Sequence, residues 1–316
     1  MTKRNLGVVA AVAVLGAACG SSSKGGETPP PPPEDTCTAC QYHRLVWSDE
    51  FDGTGQPSAA NWNYHVGNGW NPGNGGYWDG WGNQEWEWYR PENCYQQDGK
   101  LVIRGDYNDT AQTPAGKTSY QYSCRITTQG KQAWQNARLE ARIAMPAKAA
   151  IWPAFWAMGE GNNGTYATSY HPDANYYDTM SGNWSSCGEI DIMEHKNADT
   201  VTTQNLFWDS GTTLHPWTNG TNLDDPGSAE VGDVTAFHKY AVEVDATTIK
   251  WFIDDQVVKT KDVSAANMEE FRQKFFVILN MAIDGQFVNG GGPNVDPNKA
   301  DFPLYMYVDY VRVYQQ

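Results

Sequence analysis

Cys187-Gly188-Glu189-Ile190-Asp191-Ile192-Met193-Glu194-His195 carries three carboxylates within the six residues from Glu189 to Glu194. Glu189, Ile190, Asp191 and Ile192 alternate polar and apolar, the period of two that marks a half-buried strand. One face then carries Glu189 and Asp191, and the other carries Ile190 and Ile192. In a regular strand Glu194, an odd number of residues from Glu189, would point to the wrong face. A β-bulge at Ile192-Met193 adds one residue and returns Glu194 to the acidic face, and bulges recur beside active sites for this re-aiming.

Spacing decides what such a pair can do. At roughly 3.3 Å per residue, less one residue for the bulge, the two glutamate Cα atoms lie about 13 Å apart. Side chains that lean about 4 Å towards each other leave the carboxyl groups roughly 5 Å apart. That separation suits a retaining glycosidase, whereas inversion needs about 6.5–9.5 Å. The plain alternative is a solvated strand with acidic outer positions. Three like charges on one face repel one another, which a merely structural strand avoids.

The rest of the chain reads as short strands separated by Gly, Pro, Asn and Asp. Strands are expected at Leu45–Ser48, Lys100–Arg104, Ala137–Met145, Tyr240–Val244, Ile249–Ile253, Phe275–Leu279 and Tyr305–Val313, with one short helix at Ala265–Lys274. Many strands and almost no helix predict an all-β fold, a jelly-roll sandwich of two antiparallel sheets with a substrate cleft on the concave face. Trp70, Trp78, Trp81, Trp86 and Trp88 crowd a Gly/Asn-rich region ending at Tyr89. Flat rings in loop chemistry suit a cleft that stacks on sugars.

The ends of the chain are organised differently. Lys3 and Arg4 precede an apolar run from Leu6 to Ala18, so residues 1–18 read as a signal peptide too short to span a bilayer. Cys19 follows small residues and is a candidate lipidation site, the mark of an exported lipoprotein, against plain secretion. Residues 19–40 form a Gly/Ser/Pro-rich linker with five consecutive prolines, Pro29 to Pro33. Residues 41–316 are one expected catalytic domain. The net charge of −15 argues against a nucleic-acid partner. In an exported protein Cys37 and Cys40 suggest a local disulfide, ahead of a redox or metal motif. Cys94 and Cys124 are candidates for a second bridge, with Cys187 free.

Glu-Ile-Asp-Ile-Met-Glu resembles the signature of glycoside hydrolase family 16, in the bulged form of laminarinase-like endo-β-1,3-glucanases and some marine galactanases. The unbulged form is typical of lichenases. The resemblance implies that Glu189 is the nucleophile, Glu194 the acid/base and Asp191 the residue that tunes their protonation. Gly82-Asn83-Gln84-Glu85 is similar to an early family segment, which makes Asn83 a candidate for the glycone side of the cleft. Ile151-Trp152-Pro153-Ala154-Phe155-Trp156 likewise implies Trp152 and Trp156 beside the cleaved sugar. Arg125 matches an arginine that either bonds a sugar hydroxyl or forms a structural salt bridge. The closing strand Val308–Tyr314 implies a structural calcium near Asp309, Glu50 and Gly99. No cofactor is needed for the chemistry itself.

The resemblance makes a β-glucan the expected partner and a monomer the expected state. Thr202-Thr203-Gln204-Asn205 stands where laminarinase-like members carry histidines. Inserts at Gly161–Asn183 and Val288–Phe302 add to the openness of the linkage. A mixed-linkage glucan, a galactan such as agarose, transglycosylation, and non-catalytic β-glucan binding are the competing readings.

Overall fold

The computed structural model describes residues 37–69, 80–112, 119–160, 187–209, 221–223, 227–290 and 297–316. The signal, Cys19 and most of the linker lie outside these residues. So do Trp70, Trp78 and the whole of the first insert. Among the described residues the strands form two sheets, of ten and eight strands. Pairing is antiparallel except where Trp88–Tyr89 runs parallel to Ser119–Ser123.

In the ten-stranded sheet the central neighbours are His238–Val244, Ala137–Ala144, Leu304–Gln315 and Leu101–Gln112. In the eight-stranded sheet, Val201–Asp209, Glu189–Glu194, Ile151–Gly159, Phe275–Ile283 and Arg125–Thr127 lie side by side in that order. Each strand expected from the sequence is present, several of them longer than the alternation implied.

Between the sheets lies one apolar layer, built from alternate residues of both. Leu139, Ile143, Val242 and Val311 from one sheet meet Phe155, Ile190, Leu206 and Leu279 from the other. Strands facing a core on one side alternate in this way because successive side chains point to opposite faces. The sandwich therefore leaves the second face of the eight-stranded sheet to polar and aromatic side chains.

Two expectations are corrected. Ala265–Lys274 holds no α-helix; Ala266–Arg272 is 3₁₀ and is interrupted by non-helical backbone at Asn267 and Met268. Met268 and Phe271 are buried in the core, so tertiary packing sets this segment and overrides its helix propensity. Cys94 and Cys124 are buried but unbridged. Burial and the hydrogen bond with Cys94 hold the Cys124 thiol well above its usual range, so this pair consists of neighbouring thiols. Cys187 is free and buried.

Cys37 and Cys40 are joined as a disulfide that packs on Ala241 and Phe252. The next residues are pinned too: the Gln41 amide donates to Glu243 at 2.7 Å. Cys37, Cys40 and Asp255 present ligand atoms within 4.8 Å of one another, a donor set that could hold a metal ion in the reduced state. As a disulfide the two sulfurs are not thiolates, the form a metal needs.

Candidate active site

The acidic strand Glu189–Glu194 is central in the eight-stranded sheet, and its ladder slips where the alternation requires. Asp191 stands opposite Trp156, but Met193 stands opposite Phe155, so Ile192 is the added residue. The other neighbour shows the same slip, with Asp191 opposite Asn205 and Glu194 opposite Thr203. Ile190, Ile192 and Met193 all join the core. The bulge thus sends two consecutive apolar side chains inward and brings Glu194 round to the face of Glu189 and Asp191.

A bulge disrupts the ladder locally, and a buried carbonyl there needs a partner from elsewhere. Trp251, fully buried in the opposite sheet, donates its indole N–H to the Asp191 carbonyl at 2.9 Å. The re-aimed strand is therefore braced through the core.

Glu194 is 7% exposed, and donors reach both of its oxygens. Trp152 Nε1 donates to Oε1 at 3.0 Å and Asn205 Nδ2 donates to Oε2 at 2.7 Å. Burial is the largest influence and disfavours the charged form; the negative charge of Glu189 adds to it. Asn205, Trp152 and Lys196 oppose them, and the balance raises the Glu194 pKa to about 7. Burial, then the charges of Glu194 and Glu189, push the Asp191 carboxyl well above the usual range. Its hydrogen bond with Glu189 raises it further. Glu189 is half-buried. One face thus offers Glu194 with its pKa raised to about 7, a half-exposed carboxyl at Glu189 and, between them, Asp191 held well above the usual carboxylate range.

Trp152 and Trp156 lie on the neighbouring strand Ile151–Gly159, four residues apart and half-buried. Trp152 packs against Phe287 with ring centroids 4.9 Å apart. Trp156 donates to Asn280 Oδ1 at 2.8 Å and lies under the Arg125 guanidinium at 4.6 Å. Arg125 is 3% exposed and also faces Trp81, at 5.4 Å. It is a buried cation stacked on the rings of both Trp81 and Trp156. Trp81 is buried as well, packed with Tyr89, Met158 and Phe276. It belongs to the packing under the site, while Trp86 and Trp88 are half-buried.

Asn83 donates to Glu85 Oε1 at 3.1 Å and so belongs to a second acidic cluster, Glu85 and Glu87. Gly285 links this cluster to the first. A Cβ there would stand 3.1 Å from the Asn83 carbonyl, 3.4 Å from Glu85 and 3.5 Å from Trp152, and its φ of 111° suits glycine alone.

The implied calcium residues lie away from this face. Arg142 donates to Asp309 at 2.7 Å, and Arg312 holds both oxygens of Glu50 at 3.0 and 2.7 Å. Gly99 sits in a turn with φ 67° near Asp52. Guanidinium groups already occupy both carboxylates, so a cation there would depend on main-chain oxygens. Asn205, Trp251, Tyr89 and Asn280 were given no site role from the sequence, although Tyr89 closes the aromatic region and Asn205 ends the Thr202–Asn205 stretch. Only Asn205 carried a signal there: it sits at a polar alternation position on the strand after the acidic motif.

Known proteins share this arrangement of strands. The model of glycosyl hydrolases family 16 matches residues 173–311. The chain is 34% identical to the beta-glucanase of Rhodothermus marinus, over 89% of this chain and 88% of that one. It is also 34% identical to the clotting factor G alpha subunit of Tachypleus tridentatus, over 86% of this chain but only 34% of that protein's length. The X-ray structure of the laminarinase from Rhodothermus marinus superposes with a TM-score of 0.66 at 30% identity, covering 86% of this chain and 97% of that one. The family match lies across the bulged acidic strand, and the likeness continues through the strands on either side: this chain belongs to glycosyl hydrolases family 16.

Proposed function

We propose that the protein is a retaining endo-β-1,3-glucanase acting on laminarin-type glucan. The observation that carries this is Glu194, a buried acid with a pKa of about 7 that the bulge brings to the face of Glu189. The relatives named a beta-glucanase and a laminarinase support the choice of substrate.

In the first step Glu194 gives its proton to the glycosidic oxygen while Glu189 attacks the anomeric carbon. The C–O bond to the leaving sugar breaks and a glycosyl ester forms on Glu189. Asp191 acts on Glu189 through its hydrogen bond, steadying the carboxylate before attack and when it leaves. In the second step Glu194, now a carboxylate, takes a proton from water. The water oxygen bonds to the anomeric carbon and Glu189 is released. Trp152 and Asn205 contact both oxygens of Glu194 and keep it in place through both roles. Trp156 and Asn83 are the sugar-contacting residues in this reading, with Arg125 behind Trp156.

We further infer export, with lipidation at Cys19, and a monomer in solution. Mass spectrometry of the membrane fraction and gel filtration test these two points. A structural cation held by main-chain oxygens near Glu50, Gly99 and Asp309 is carried as a proposal, tested by a rise in Tm on adding calcium.

The central test is product analysis on laminarin, barley mixed-linkage glucan and agarose, with Glu189→Gln alongside. Oligosaccharides from laminarin that vanish in the variant are the expected result. Cleavage of barley glucan or agarose alone keeps the chemistry and overturns the substrate. Retention on insoluble glucan with no cleavage replaces the enzyme by a binding protein.

A further inference from the structure

Glu85 and Glu87 form an acid pair that the mechanism above does not use. They are 3% and 0% exposed, so two negative charges side by side are excluded by the cost of burying them. The hydrogen bonds around them distinguish the two.

Trp156 can only donate through its indole N–H. Asn280 must therefore present its oxygen to Trp156, which leaves its amide nitrogen to donate to the Tyr89 hydroxyl at 3.1 Å. The Tyr89 oxygen, having accepted that bond, turns its own proton to Glu85 Oε2 at 3.0 Å. Glu85 Oε1 meanwhile accepts from Asn83. Both Glu85 oxygens are thus acceptors; burial raises the Glu85 pKa, while the Arg125 charge and the hydrogen bonds from Asn83 and Tyr89 oppose that rise by favouring the carboxylate.

Glu87 differs. Its Oε2 accepts from the Ile283 amide at 2.7 Å, while the Ile283 carbonyl accepts from Trp86 N at 2.9 Å. No donor reaches Glu87 Oε1, which is buried. A proton on that oxygen, donated to Glu85, would satisfy it, and a hydrogen bond between the two side chains raises Glu87 while lowering Glu85. Burial and the Glu85 charge raise the Glu87 pKa well above the usual range, in agreement with the geometry.

We propose that Glu87 is a positioning residue: as a neutral carboxylic acid it fixes Glu85, and through Tyr89 and Asn280 it sets the orientation of the Trp156 ring beside the acidic strand. The chain has only one consistent direction, because it begins at a donor-only indole and ends at a carboxylate whose remaining partner is an acid. Its consequence for catalysis rests on the reading of Trp156 as a sugar-contacting residue; the direction of the hydrogen bonds does not.

Steady-state kinetics on laminarin with Glu87→Gln, Glu87→Met and Tyr89→Phe provide the test. Glutamine keeps a donor for Glu85 and an acceptor for Ile283, whereas methionine keeps only the volume. Glu87→Met should raise KM about tenfold with kcat changed less than threefold, and Glu87→Gln should restore KM to within about threefold of wild type. A purely structural role would instead lower the active fraction, and hence kcat, at constant KM. Tyr89→Phe removes the middle link but keeps the ring, and should reproduce the KM rise even if Glu87→Met does not fold. An unchanged KM in Tyr89→Phe, or glutamine no better than methionine, overturns the proposal. If wild type does not cleave laminarin, the function above fails. The same variants are then compared by tryptophan fluorescence titration with laminarin, where Kd takes the place of KM and the same pattern is expected.

Discussion

The protein holds two acid clusters of similar sequence spacing and opposite use. Glu189-Ile-Asp191 and Glu85-Trp-Glu87 both place carboxylates two residues apart with an apolar residue between. On the acidic strand, the bulge adds Glu194 and leaves Glu189 half-exposed, so the cluster can reach a ligand. In the loop cluster both acids are buried, with Asn83 and Tyr89 on the oxygens of Glu85 and the Ile283 amide on one oxygen of Glu87. Period two brings carboxyls together; whether one of them stays exposed, as Glu189 does, decides whether the cluster can meet a ligand.

The largest effects should fall on the first cluster. Glu189→Gln should lower kcat on laminarin by about 10⁴-fold or more, the scale seen when a nucleophile is removed. Glu194→Gln should cost about 10²–10⁴-fold, the range for general acid/base catalysis. An activated aryl glycoside, whose leaving group needs no proton, should separate the two: formation of the glycosyl-enzyme survives in Glu194→Gln and fails in Glu189→Gln. If both variants lose the aryl burst equally, the division of roles between them is wrong.

The brace behind the bulge comes next. Trp251→Phe keeps the ring in the core but removes the N–H that meets the Asp191 carbonyl. Leaving a buried acceptor unpaired costs about 1–3 kcal/mol. Urea unfolding should show that loss, and kcat should drop about tenfold as Asp191 and Glu194 lose their register. A variant destabilised to this extent with wild-type kcat would mean that the bulge holds its shape without the indole.

Asn205 sharpens the comparison through pH. Activity requires protonated Glu194, so kcat/KM should fall as pH rises through about 7. The Asn205 amide favours the carboxylate and lowers that pKa. Asn205→Ala should therefore move the alkaline limb of the pH–rate profile upward, even as overall activity falls. A limb that stays fixed or moves down would show that Glu194 does not set it.

How much of this was legible in the sequence follows from how local each feature is. The acidic strand, its bulge and the all-β class rest on alternation within a few residues. Trp152 and Trp156 were named because one short element, Ile151–Trp156, resembles a known family. The brace from Trp251 lies 60 residues away in sequence, and the Asn280–Tyr89 bond joins residues 191 apart. Such contacts depend on which strands become neighbours and in what register, which no local pattern encodes. The segment Ala265–Lys274 fails for the converse reason. Its local composition suits a helix, but burying Met268 and Phe271 in the core dictates a different backbone.

The loop cluster carries the smallest expected effect, which separates its proton from its packing. A carboxyl whose pKa is raised in the folded state binds its proton more tightly there than in the unfolded chain. Its contribution to stability is full below the unfolded pKa of about 4.3 and is lost as pH rises towards the folded value. Glu85, Asp191 and Glu194 share this sign, so wild-type stability alone does not isolate Glu87. The difference between wild type and Glu87→Gln does, because glutamine needs no proton to donate to Glu85. Urea unfolding at pH 5 and pH 8 should show wild type losing more stability over that interval than the variant. Parallel losses would mean that Glu87 releases its proton in the folded protein near its ordinary pKa, and that the two acid clusters are more alike than their hydrogen bonds indicate.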